Sequence, residues 1–362
     1  MDTTEKTRHI DASNLMLCLP VNFIFRIFAN PTKITSFVPI LKKINEIILA
    51  TAFFLFVTVL PAMSQGISIP VRRDASYAAI RRDVKMLCDP ELAGRKSGTS
   101  QMLQLSTMLS QRYEQLGLEQ VGEGWVQNFR LGTGGIGRNI IGKIEGTSGK
   151  YLVLMAYYDG LGVNDDGLGV NDGVLGVNDG VLYPGADSNA SGVAALLEIA
   201  RILTSSEVQR KDGVLFVLLD GHYDSYSGAE HFLGQFSRAQ IAAVVNLDTI
   251  GGSKTPLDVR RPRYLMALGG KRYAKDLESC ARIGKIEMYY DYYRSEMFTQ
   301  MFYRKTGDQS VFVKAGVPSV LFTSGITHDT NKPSDSPEAL DYNAMRYRCL
   351  SVARWINLKT RK

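Results

Sequence analysis

Tyr151-Leu152-Val153-Leu154-Met155-Ala156-Tyr157-Tyr158 is a continuous apolar run that stops abruptly at Asp159. A strand facing water on one side alternates in character, so a run with no polar break reads as a strand covered on both faces, as in a parallel sheet. The chain beyond it has the matching rhythm. A helical period runs from Ser191 to Thr204, a strand from Val214 to Leu219, a helix from Gly228 to Gln235, and strands from Ala242 to Asp248 and Tyr264 to Leu268. Then come a helix from Ala274 to Ile283, a strand from Ile286 to Tyr290, a helix from Gln309 to Ala315, a strand from Ser319 to Thr323 and a closing helix from Tyr342 to Lys359. Alternation of this kind predicts an α/β fold: a three-layer sandwich around a mixed, mainly parallel central sheet. Upstream, residues 74–92 and 101–116 carry apolar residues at helical spacing, and Trp125–Arg130 and Asn139–Ile144 read as further strands. In such sheets function gathers at the carboxyl ends of the strands, where Asp159, Asp187, Asp220 and Asp248 fall.

The 362 residues, 45% of them hydrophobic, support one large core. The uncharged segment Ile47–Leu60 follows Lys42 and Lys43 and ends at Ala62-Met63-Ser64, a small-x-small pattern. It reads as a secretory signal, with an uncleaved membrane anchor as the alternative, and the long stretch before it points to a start later than Met1. The expected organisation is therefore a 1–64 extension and a 65–362 domain, exported to the periplasm or the medium, and membrane-bound only if the segment stays uncleaved. The formal charge of +6 is nearly balanced once the extension is set aside, with 36 Lys and Arg against 32 Asp and Glu in the rest. No basic stripe interleaves with aromatics, which argues against nucleic-acid binding. Cys88, Cys280 and Cys349 make no Cys-x-x-Cys pair, so a dense disulfide framework is excluded; one bridge with a free thiol and three buried thiols both remain open.

Between Asp159 and Pro184 a seven-residue unit recurs at Leu161-Gly162-Val163-Asn164-Asp165, Leu168-Gly169-Val170-Asn171-Asp172 and Leu175-Gly176-Val177-Asn178-Asp179. Three short copies are too few for a solenoid, and Asn-Asp with Asp-Gly pairs favour tight turns, so the tract reads as an expanded surface loop. Its acidic residues do not follow the alternate spacing of a calcium loop.

Several separate segments, in order, carry a resemblance: Leu92-Ala93-Gly94-Arg95 with Gly98-Thr99, Gly185-Ala186-Asp187-Ser188-Asn189-Ala190-Ser191-Gly192-Val193, Asp220-Gly221, Asn246-Leu247-Asp248-Thr249-Ile250-Gly251, and Lys332-Pro333-Ser334-Asp335-Ser336-Pro337. Residues 74–358 resemble metallopeptidase family 28, the co-catalytic zinc aminopeptidases and their glutaminyl cyclase-like relatives. The resemblance implies two zinc ions that share one carboxylate, each completed by a His and an acidic side chain, with a Glu as base for the bridging water. By motif, Asp187 matches the bridging carboxylate, Asp248 a second carboxylate of the first metal, and Asp159 the acid that orients the first His.

The other positions depart from the family pattern. Tyr157 stands where the family has its first zinc-binding His, His222 replaces the general-base Glu, Tyr223 replaces a Glu ligand and Asn331 replaces the final His. Gly307-Asp308-Gln309 stands where Ser-Asp-His is common, and His328 lies three residues from Asn331. A phenol with a pKa near 10 donates hydrogen bonds more readily than it binds metal as an anion, and a neutral carboxamide suits calcium better than zinc. Asp187 and Asp248 alone are two ligands where a zinc centre uses three or four. The expectation is therefore a pseudopeptidase with no cofactor, whose old cleft binds a peptide, a small amine or a protein partner, His222 compensating the charge of Asp187 and Asp248. The rival is a hydrolase with one zinc or other divalent ion held by Asp187, Asp248 and His222 or His328. A chain with no maintained task is a third reading, and the repeat fits replication slippage. The aromatic segments Met288–Tyr293 and Phe298–Tyr303 either line or cover the cleft.

Overall fold

The structure is a computed structural model that describes residues 73–164, 180–253, 256 and 258–361. The expected leader and nearly all of the repeat lie outside the described residues.

Helices α1 (Arg73–Leu87) and α2 (Ser100–Gln115) open the described chain. The first stops short of the expected Leu92 because Pro90 cannot continue it; a 3-10 segment over Pro90–Arg95 takes over, begun by Asp89, whose side chain accepts the Glu91 N–H. Thr99 caps α2 by accepting the Met102 N–H. Strands β1 (Glu119–Gln120), β2 (Val126–Arg130), β3 (Ile136–Ile144) and β4 (Tyr151–Tyr157) follow. A short pair follows, β5 (Gly162–Asn164), inside the first repeat unit, and β6 (Val181–Tyr183), after the last. Then come α3 (Ser191–Thr204), β7 (Gly213–Leu219), α4 (Ser227–Gln235), β8 (Ile241–Leu247), β9 (Tyr264–Leu268), α5 (Ala274–Ala281), β10 (Glu287–Tyr289), α6 (Glu296–Gln300), α7 (Gln309–Lys314), β11 (Ser319–Thr323) and α8 (Tyr342–Thr360).

Nine strands form one mixed sheet in the order β1-β3-β7-β4-β8-β11-β9-β10, with β2 also on β3. Its centre, β7-β4-β8-β11, is parallel throughout, while β3 joins β7 and β9 joins β11 antiparallel. The apolar run of β4 is thus the middle of the sheet, paired on both sides. Its side chains divide by the period of two: Leu152, Leu154 and Ala156 enter one core with the α1, α3 and α8 layer. Val153, Met155 and Tyr157 enter the other, with Phe232 of α4 and Phe312 of α7. Helix α3 is buried almost all round, because α1 and α8 cover the face that the sheet does not. Each fully buried Leu or Ile in that layer contributes about 1.5–3 kcal/mol.

Cys88, Cys280 and Cys349 are all free and buried. Among the described residues no helix is long and apolar enough to cross a membrane.

Candidate functional site

The four parallel strands deliver their carboxyl ends to one edge. Tyr157 ends β4, Asp220 follows β7, Asp248 follows β8, and the loop after β11 carries Ile326, Thr330 and Asn331. There a cleft of about 200 Å³ is lined by Tyr157, Ser188, His222, Tyr223, Asp248 and Asn331, with Tyr226, Tyr292 and Phe302 around them. A larger hollow of about 520 Å³ lies under the Val121–Gln127 turn, with Glu123 as its one titratable lining residue. The chemistry therefore sits in the smaller one.

Of the predicted residues, Tyr157, His222, Tyr223, Asp248 and Asn331 converge in this cleft and Asp187 does not. Asp335 explains why. Its two carboxylate oxygens accept the Asp187 N–H at 2.7 Å and the Ser188 N–H at 3.0 Å, which fixes the backbone of the turn. The Asp187 side chain then points inward, Oδ1 accepting the Gly251 N–H at 2.7 Å and the Ser191 hydroxyl at 3.0 Å. Burial, followed by the nearby Asp335 charge, pushes the Asp187 carboxyl up to about 6. The side chain that this turn presents to the cleft is Ser188, one residue on. The rival reading's placement of the Asp187 side chain beside Asp248 in the cleft is corrected on this point.

Ser188 and Asp248 are held side by side through Asn189. The Asn189 side-chain amide donates to Leu247 O at 2.9 Å and its oxygen accepts the Thr249 N–H at 3.1 Å, so it grips the residues on both sides of Asp248. Burial pushes the Asp248 carboxyl up to about 6, while the His222 charge pulls it down. The Tyr223 hydroxyl donates to Asn331 Oδ1 at 2.9 Å, tying the two loops together across the cleft.

His222 acts on Asp248 by its charge, as expected, but its hydrogen-bond partner is Asp308, which the expectation did not include. Nδ1 lies 2.7 Å from Asp308 Oδ2, and Asp308 is fully buried at the foot of α7. Burial opposes a charged imidazole, but the Asp308 carboxylate outweighs it and raises His222 to about 9. The imidazolium lies flat on the Tyr157 ring, with centroids 3.6 Å apart. In the sequence Asp308 keeps the middle residue of the Ser-Asp-His that is common in the family, and nothing there names His222 as its partner.

Asp159 is also repurposed. Rather than a cleft imidazole, it holds the turn that bears His222 and Tyr223, accepting their N–H groups at 3.1 and 3.3 Å. It shares the Ser97 hydroxyl with Asp220, at 3.0 and 2.6 Å. Burial, then repulsion from Asp220, raises the Asp159 carboxyl. His328 is 85% exposed at its side chain and accepts from Lys332 Nζ at 3.3 Å, which places it on the surface.

The sequence pattern of peptidase family M28 matches residues 139–354. The chain belongs to that family. It is 32% identical over 127 residues to the BOS complex subunit ncln of Danio rerio, covering 31% of this chain and 20% of that protein. It is 37% identical over 73 residues to a protein of Pyrenophora tritici-repentis named "Probable zinc metalloprotease", covering 20% of this chain and 16% of that one. The matched region thus spans a fifth or less of those relatives' length. In fold, the zinc aminopeptidase BSAP of Bacillus subtilis superposes with a TM-score of 0.59 at 13% identity, over 82% of this chain and 97% of that one. The glutaminyl cyclase of Fimbriiglobus ruber gives 0.59 at 19% identity, over 80% and 96%.

The donor set in the cleft does not fit the paired zinc ions that the family resemblance implies. A zinc centre takes three or four ligands from thiolate, imidazole and carboxylate. The cleft offers the carboxylate of Asp248 and an imidazole whose Nδ1 is engaged by Asp308. Around them stand a phenol held far above its usual pKa by burial, a phenol bonded to a carboxamide, and a hydroxyl. Among the described residues no three His, Cys, Asp or Glu side chains group as a metal site.

Proposed function

We propose that this chain is a peptidase-family-M28 domain that works without metal catalysis and uses the cleft at the carboxyl edge of its sheet to bind a peptide, an amine or a protein partner. The observation that carries the reading is the replacement of a ligand cluster by a closed set of internal bonds: Tyr157 stacked under His222, His222 paired with Asp308, Tyr223 bonded to Asn331, and Asp187 turned inward. The chemistry of hydrolysis needs a water whose pKa is lowered, and an imidazolium that holds its proton to about 9 is not a base at neutral pH. Similarity to a subunit of the BOS complex supports the partner side of the reading. The rival, one ion held by Asp187, Asp248 and His222 or His328, requires Asp187, which faces away from the cleft, and an imidazole that is either bonded to Asp308 or out on the surface. Residues 47–60 make export, or an anchor at the membrane, part of the same proposal.

The test is elemental analysis of the purified protein with an aminopeptidase assay run with and without added zinc and chelator. The expected result is less than one tightly bound zinc per chain and no activity that responds to either. Stoichiometric zinc, together with turnover abolished by Asp248→Ala, would overturn the proposal.

A further inference from the structure

Helix α8 has no Asp or Glu in its 19 residues, and its charged side chains are all cations. Arg348 is buried, while Arg346, Arg354 and Lys359 are not. The helix packs along α5, which the 3-10 turns Lys271–Tyr273 and Arg282–Gly284 flank. The two run antiparallel. Tyr347 packs on Gly284 at one end, and Lys359 Nζ reaches Asp276 at 3.8 Å at the other, about 18 Å along the axis.

Both ends of this seam gather cations around a ring. Arg263 and Arg346 stand 4.8 and 4.7 Å from the centre of the Tyr347 ring, and Arg272 and Lys359 stand 4.8 and 5.0 Å from that of Tyr273. Lys275, Arg282 and Lys285 add exposed charge, and among the described residues none of these three forms an ion pair. The acidic side chains of α5 do not balance them: Asp276 is taken by Lys359, and Glu278 accepts the Tyr290 hydroxyl at 3.2 Å. The cations come from three separate stretches of sequence, so no run announces the face.

Cations drawn together over this area repel one another, and an extended anionic surface relieves that repulsion. The apolar residues among them choose which surface. Ile283, next to Arg282, and Leu358, next to Lys359, are 50% and 47% exposed. At a bilayer, headgroup phosphates meet the cations and the acyl boundary takes the aliphatic side chains. Single-stranded nucleic acid instead stacks its bases on bare rings, and here both rings carry cations. The chain also joins the domain at this face: Tyr77, in the second turn of α1, meets Tyr342 at the start of α8, with centroids 5.8 Å apart. Residues 61–72 alone separate α1 from the apolar segment 47–60, so a chain anchored through that segment is tethered by the end of the face.

We propose that the α5–α8 face docks on a bilayer that carries anionic lipid, its cations on the headgroups and Ile283 and Leu358 at the acyl boundary. The proposal is independent of the cleft and of any metal there.

The experiment measures partition of the full-length protein onto vesicles of phosphatidylcholine alone and onto vesicles with about one third phosphatidylglycerol, at low salt and at about 0.5 M salt. Anionic lipid is expected to raise partition by about a hundredfold, and high salt to abolish the gain. Arg282→Gln with Lys285→Gln should remove about tenfold or more of it, whereas Arg238→Gln with Lys314→Gln, beside α4 and α7 in the other helical layer, should leave it intact. The charges of residues 1–64 are the same in every variant, so the difference between the pairs reports on the face alone. Both pairs exchange exposed side chains, and their thermal melts should match the parent. No salt-sensitive gain on anionic vesicles, or an equal loss in both pairs, overturns the proposal. A single-stranded oligonucleotide that strips the protein from the vesicles at equal phosphate concentration overturns it too, and assigns the face to nucleic acid.

Discussion

The His222 imidazole lies on the Tyr157 ring with centroids 3.6 Å apart and planes 13° from parallel. Two positions that a zinc peptidase fills with a ligand and a base are here one stacked unit, with Asp308 fixing the imidazole from the other side. The unit has its own protonation chemistry, which can be measured.

Asp308→Asn keeps the shape of the partner and removes its charge. The His222 titration, followed by its ring-proton resonances in NMR, should fall from about 9 toward the 6.5 of a free imidazole, because burial is then opposed only by the weaker charges of Asp248 and Asp159. Stability should drop by about 3–5 kcal/mol, the usual cost of leaving half of a buried charge pair. An unchanged titration would mean that some other group charges His222.

Stability should fall as pH rises. Asp187 and Asp248 titrate near 6 in the fold against an ordinary 3.8, and His222 near 9 against 6.5. The folded chain therefore holds more protons than the unfolded one from about pH 4 to 9, and by linkage each such group adds stability at low pH and loses it as pH climbs through its folded value. A thermal melt should give a higher Tm at about pH 5.5 than at about pH 8.5. A flat or rising profile would contradict the assignment of these three groups.

Asp335 holds two backbone N–H groups of the turn that aims Ser188 into the cleft. Asp335→Ala should cost about 2–4 kcal/mol, read as a shift of the denaturant midpoint at constant m, since both donors would be left buried and unpaired. The same variant should loosen the cleft. A midpoint within error of the parent would show that the turn holds itself.

Tyr157→His alone should retain no zinc on elemental analysis. Tyr157→His with Ser188→Asp places an imidazole and a second carboxylate next to Asp248, the three ligands that a zinc ion needs at minimum. The double variant is expected to hold zinc yet remain without peptidase activity, because no Glu replaces His222 as base. Ser188→Asp is the informative change: if Asp187→Ala removed that zinc, the inward turn of Asp187 would be wrong.

Helix α3 and the central strands are legible in the sequence because their residues are buried for one reason, and an apolar run states it directly. The end of α1 and the short α6 are not: Pro90 cuts the first early, and Glu296–Gln300 lies in an aromatic-rich stretch with no clear period. In the site, the type of residue is readable and its direction is not. A carboxylate draws the eye before a hydroxyl, so a reading by motif favours Asp187 over Ser188, although the turn that reverses them is set by Asp335, almost 150 residues on. His222 and Asp308 are likewise separated by 86 residues and meet through the sheet edge alone.

Arg95 is buried, and its guanidinium donates to four carbonyls: Leu87, Tyr158, Pro184 and Gly185, at 2.6–3.0 Å. Two of them stand before the seven-residue repeat and two after it, and β5 pairs with β6 just inside that clasp. The two ends of the tract are therefore riveted to each other and to the body, independently of how many residues run between them. Gaining or losing one whole unit is therefore expected to leave Ser188 where it is, so chain length at this point is free to change without the cleft registering it.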